Sequence, residues 1–76
     1  MAMMVTARKV DEGPGEIRYA FGLETAFDRV LVIDKRSWEA RVEDGRFDAA
    51  ASAITAKIKK LWRAGGEFPP GATFAS

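Results

Sequence analysis

The sequence has no cysteine and no histidine among its 76 residues. Without cysteine there are no disulfides, so the chain is not one of the small secreted domains held together by cross-links. Zinc sites built on Cys or His, iron–sulfur clusters and haem ligation through His are excluded with them, as are Cys–His and Ser–His–Asp catalysis. Chemistry would have to come from carboxylates, Lys, Arg, one Tyr and a few hydroxyls. No apolar run approaches the roughly 20 residues of a membrane-spanning helix. The opening Met1-Ala2-Met3-Met4-Val5 is too short for the apolar region of a signal peptide and has no basic stretch before it. A soluble cytoplasmic protein with no membrane contact is the expectation.

What is present is globular in composition, with 47% hydrophobic and 30% charged residues. The length allows one domain, residues 1–76, with a thin core. Net charge is +1, and it is unevenly spread. Residues 1–45 carry 7 basic and 9 acidic side chains, whereas Arg46, Lys57, Lys59, Lys60 and Arg63 face only Asp48 across residues 46–64.

Residues 3–10 read as a first strand, followed by a loop at Asp11-Glu12-Gly13-Pro14-Gly15. Ile17, Tyr19, Phe21 and Leu23 alternate with Arg18, Ala20, Gly22 and Glu24, a period of two that predicts a second strand over 16–23. Val30-Leu31-Val32-Ile33 is apolar on both faces and suits a central strand over 29–34. Asp34-Lys35-Arg36-Ser37 reads as a turn, and Trp38, Ala40 and Val42 mark a fourth strand over 38–43.

The period then changes. Phe47, Ala50, Ala51, Ile54, Ile58, Leu61 and Trp62 recur at helical spacing, which predicts one amphipathic helix over 45–64. Asp44 is the expected N-cap, and Gly65-Gly66 stops the helix. The prolines of Phe68-Pro69-Pro70 give residues 67–76 an extended tail. The fold class is α+β, a four-stranded antiparallel meander followed by a helix on one sheet face, in ββββα order.

No set of polar residues converges on a reaction. Asp34, Glu39, Glu43 and Asp44 read as turn, cap and solvent-face residues, and the calcium-loop pattern is missing. Gly13, Gly15, Gly65 and Gly66 match no phosphate-loop spacing. No enzyme activity, cofactor or metal is expected.

Two surfaces remain. Ala20, Val30 and Val32 lie on the face opposite Tyr19 and Phe21, where either a partner protein (a second copy included) or the tail through Phe68 and Phe74 should cover them. That set is the candidate protein interface. Lys57, Lys59, Lys60 and Arg63 form a basic cluster beside Trp62. It is the candidate nucleic-acid patch, set against a plainer role in which cations complement the negative end of the helix dipole.

Overall fold

A computed structural model describes residues 3–75, so residue 76 of the expected tail lies outside the described part. The elements are β1 (Met4–Glu12), β2 (Glu16–Leu23), β3 (Arg29–Asp34), β4 (Ala40–Val42), α1 (Ala49–Gly65) and β5 (Gly71–Ala75). The strands form one antiparallel sheet in the order β4-β3-β2-β1-β5. Four strands make the expected meander, and α1 then crosses one face to deliver β5 to the far side of β1. The α+β class and the helix on one sheet face are as the sequence predicts. The strand count is corrected to five.

The alternation read from the sequence is the alternation that folds. Ile17, Tyr19 and Phe21 of β2 pair with Ile33, Leu31 and Arg29 of β3, which puts the large apolar groups on one face. Ile17, Tyr19, Phe21, Leu31 and Ile33 are fully buried there, against Ile54 and Ile58 of α1. Burial of each such side chain contributes roughly 1.5–3 kcal/mol relative to exposure. β1 runs two residues further than expected, to Glu12, because its ladder with β2 shifts register between Lys9 and Asp11 and then resumes.

The helix begins later than expected, at Ala49. Its N-cap is Asp48, whose carboxylate accepts the Ala51 N–H at 3.1 Å. Asp44, the expected cap, is held elsewhere. It accepts the Arg46 N–H at 2.8 Å and the Arg29 guanidinium at 2.8 Å, in a turn where Gly45 has φ +81°. Phe47 consequently precedes the helix and is 48% exposed rather than part of the buried stripe. At the other end Gly66 takes φ +79° and donates its N–H to the Trp62 carbonyl, the C-cap that the glycine pair predicts.

β4 is shorter than the expected strand over 38–43. Trp38 adopts φ +64° in the preceding turn, which delays strand pairing until Ala40. The turn itself is built as expected on Asp34, whose carboxylate accepts the Arg36 and Ser37 N–H groups. The reward for the unusual Trp38 backbone is packing: its ring stacks on Phe68 at 5.0 Å and meets Trp62 edge-on at 5.3 Å.

The tail does not fold over the second sheet face, and that expectation is corrected. Phe68 turns into the core on the helix side, Pro69 accepts the Tyr19 hydroxyl proton at 2.7 Å, and Pro70 accepts the Lys9 N–H at 2.8 Å. These anchors lay residues 71–75 beside β1. Proline can stand at this point because it precedes the strand and needs no ladder donor.

The second face is covered by other means. In register, Val32 sits between Arg18 and Arg41, and Ala20 between Arg8 and Val30, so long aliphatic stems flank the small apolar groups. The loop after β2 also folds back against this face. A Cβ on Gly22 would lie 2.7 Å from an Asp28 carboxylate oxygen and 3.0 Å from the Phe27 nitrogen, so only glycine admits the loop. The Arg8 guanidinium lies 4.6 Å over the Phe27 ring.

Candidate functional site

The residues singled out from the sequence do not stay in their two sets. Val32 and Ala20 are buried within the single chain, at 3% and 9% exposure, and Val30 is half-buried. Phe68 is 9% exposed, on the other side of the sheet. Phe74 is also on the helix side, half-buried in β5. The five residues therefore form no common surface.

The basic cluster divides as well. Residues two apart on a helix are separated by about 200°, so Lys57 and Lys59 leave α1 on opposite sides. Lys59 places its ammonium 5.8 Å over the Trp38 ring. Arg63 lies in the last turn, where its charge complements the helix dipole. Lys57 and Lys60, one turn apart, share the side of α1 that faces β5.

There they meet Phe74. A groove of about 400 Å³ runs between α1 and β5, lined by Ser52, Ala53, Ala56, Lys57 and Lys60 on one wall and Thr73, Phe74 and Ala75 on the other. The helical wall follows from spacing: positions 53, 56, 57 and 60 fall on one face. Small side chains at 52, 53 and 56 keep the groove open, and the two lysines supply positive charge. Neither lysine takes part in any ion pair or hydrogen bond among the described residues.

The floor of the groove is an open sheet edge. Arg8 and Gly71 are opposed across β1 and β5, and the Lys9 N–H reaches the Pro70 carbonyl. In an antiparallel ladder this fixes the alternation: Ala72 and Phe74 direct their backbone groups to β1, and Gly71, Thr73 and Ala75 direct theirs outward. β5 carries no charged residue and no proline. The opposite edge differs. β4 is only 3 residues long, carries Arg41, and lies between Glu39 and Glu43. Short length and charge are the usual protections of an edge strand, and β5 has neither.

Several of the other charges are committed to structure. Arg29 bridges Asp44 and Asp48, tying β3 to the start of α1, and both carboxylates lie below their ordinary pKa range. For Asp44 the first cause is the Arg29 hydrogen bond; for Asp48 it is the Ala51 N–H. Glu12 accepts Lys35 and Lys9, each at 2.9 Å, and its pKa falls to about 2. Burial raises the Tyr19 hydroxyl above its ordinary range. Among the described residues no group of three or more acidic side chains gathers where it would hold a metal ion, and no helix is long and apolar enough to cross a membrane.

The groove is not visible in the sequence, where residues 67–76 read as an extended tail and not as a strand. One signal was available: Gly71-Ala72-Thr73-Phe74-Ala75 has no charge, no proline and two β-favouring residues. Compared with known protein families, curated proteins and solved structures, the chain matches none.

Proposed function

We propose that the chain is a non-catalytic domain that acts through protein contact, and that the contact is made by the outer edge of β5. The supporting observation is the contrast between the two sheet edges. β4 is short and charged, whereas β5 offers the outward backbone groups of Gly71, Thr73 and Ala75 on an uncharged strand. An extended segment added there completes a hydrogen-bond ladder, the mode by which many domains recruit peptides or a second copy of themselves.

The alternative is a nucleic-acid-binding domain using Lys57, Lys59, Lys60 and Arg63. Its support is the excess of positive charge on α1. It gains less from the geometry, because Lys59 turns to Trp38 while Lys57 and Lys60 turn to β5.

The test is a selection from random peptides displayed in extended form, followed by hydrogen exchange. Selected binders should slow exchange at the Thr73 and Ala75 amides. Thr73→Pro should abolish them, since it removes an outward donor and leaves the bonds to β1 intact. Arg41→Ala, an exposed position in register with Val32 on the face away from α1, should retain them. Light scattering on the full chain tests the homodimer, which Thr73→Pro should dissociate if it forms through β5. A monomer that selects no peptide overturns the reading. Binding lost in Arg41→Ala and kept in Thr73→Pro moves the contact to the other face. Salt-sensitive binding of single- or double-stranded nucleic acid, lost on neutralising Lys59 and Arg63, favours the alternative.

A further inference from the structure

We infer that the segment received by β5 is an acidic peptide strand of another protein, seated between β5 and α1. The inference rests on the edge-contact reading above and names the partner's chemistry. Its basis is the joint placement of an open strand edge and two ammonium groups on the facing helix wall that have no ion-pair partner among the described residues.

The geometry fixes which partner residues matter. A strand added antiparallel or parallel to β5 bonds through the outward groups of Gly71, Thr73 and Ala75. Side chains in register with Thr73 lie on the sheet face away from α1. Those in register with Ala72 and Phe74 lie on the α1 side and enter the groove. Alternate partner residues therefore point at the wall of Ala53, Ala56, Lys57 and Lys60. A small or β-branched apolar group fits against Ala53, Ala56 and Phe74. A carboxylate two residues along reaches Lys57 or Lys60, where the rim is wet enough to spare it a full desolvation cost.

The charge pattern also discriminates between occupants. A second copy pairing β5 with β5 about a twofold axis normal to the sheet brings the two helices to the same side, facing each other across the new strands. Lys57 and Lys60 of each would then confront their equivalents with no carboxylate of α1 between them, since α1 contains none. Like charges in that position oppose the symmetric dimer and favour an acidic guest. A polyanion without strand character satisfies the lysines but leaves the outward groups of Gly71, Thr73 and Ala75 unused.

The probe is a capped synthetic peptide in which glutamate and valine occupy alternate inward positions with threonine between them, labelled for fluorescence anisotropy. Three companions replace glutamate by glutamine, replace glutamate by lysine, or carry N-methyl groups on alternate backbone amides. The full chain should bind the acidic peptide, with chemical-shift changes confined to residues 52–60 and 71–75. The glutamine peptide should bind about two- to thirty-fold more weakly, the loss expected for two partly exposed charge pairs. Lys57→Gln with Lys60→Gln should produce the same loss on the protein side and remove the salt dependence. The N-methyl peptide should not bind, a result that needs no altered protein and so holds even if Thr73→Pro fails to fold.

Equal binding of the glutamate and glutamine peptides, with N-methyl sensitivity retained, overturns the acidic preference and leaves the edge contact standing. A concentration-dependent dimer that excludes the peptide makes the second copy the occupant and overturns the inference. Binding that survives N-methylation, or displacement of the peptide by an oligonucleotide at equal charge, overturns both the strand geometry and the edge-contact reading. No binding of any peptide does the same.

Discussion

Replacing Ile58 with Ala tests how the helix is held. Ile58 is fully buried on the sheet side of α1, in line with Ala51 and Ile54. The substitution removes every carbon beyond Cβ, worth about 2.4 kcal/mol of transfer free energy at about 0.8 kcal/mol per methylene. A residual cavity adds to this, since the sheet opposite is a rigid ladder that collapses only in part, and Ile-to-Ala losses in cores span about 2–5 kcal/mol. Alanine recovers about 0.4 kcal/mol in helix propensity. The net loss is about 2–4 kcal/mol. A domain of this length has only about 4–11 kcal/mol of stability in total, and each kcal/mol moves the melting temperature by about 4–8 °C. Thermal melting followed by circular dichroism should therefore show a fall of roughly 8–32 °C, with a matching fall in the urea midpoint. The exposed Ser52→Ala variant on the same helix should stay within about 0.5 kcal/mol. If Ile58→Ala unfolds no more easily than Ser52→Ala, α1 is not docked by this stripe, and the placement of the groove behind it fails as well.

Tyr19→Phe removes the hydroxyl that donates to the Pro69 carbonyl at 2.7 Å; it should cost about 1–2 kcal/mol and speed amide exchange in β5 more than in β3. Thr6→Val should have the opposite sign, because the Thr6 hydroxyl oxygen is buried without a hydrogen-bond partner among the described residues, and the isosteric methyl should raise the unfolding free energy by about 1 kcal/mol. Acid should destabilise the fold in a defined window. Glu12, Asp34, Asp44 and Asp48 all have folded pKa values below their ordinary ones. The stability they contribute is fully present above pH 5 or so and is lost as pH falls through the folded values, down to about 2 for Glu12. Thermal melts across this range should fall steadily, and Glu12→Gln should flatten the lowest part of the curve; an unchanged slope there would deny the Lys9–Glu12–Lys35 bridge.

The parts of the fold that were legible in the sequence are those where one periodicity ran without competition. Ile17-Arg18-Tyr19-Ala20-Phe21 admits one reading, and so does the spacing of Ala51, Ile54, Ile58 and Leu61. The misread boundaries share a cause: a residue with two local options was assigned the commoner one. Asp44 fits an N-cap as well as Asp48 does, and the choice was made by Arg29, 15 residues away, which engages both carboxylates and pins Asp44 in the turn. Trp38 fits the strand alternation, but its ring gains more from Phe68 and Trp62, which are distant in sequence. The tail was read by its prolines, which do forbid helix. They do not forbid a strand that starts one residue later. The candidate site was hidden for the same reason. Lys57 and Phe74 belong to elements brought together by the anchors at Phe68, Pro69 and Pro70.

That path also bears on how β5 would work as a contact. A disordered tail that paired with a partner would have to be ordered on binding, which costs affinity. β5 is ordered already. Phe68 is packed against Trp38, Tyr19 holds Pro69, and Lys9 holds Pro70, so the strand leaves the core from three successive fixed points. Ala72 continues the attachment through its buried side chain opposite Ala7. The outward half of the β5 backbone and the groove-side surface of α1 remain unengaged among the described residues. A partner strand would then bear the ordering cost alone. The charge excess of α1 has a corresponding logic: an uncharged edge strand is exposed to indiscriminate pairing, and two lysines along its flank oppose strands of like charge, including those of its own copies.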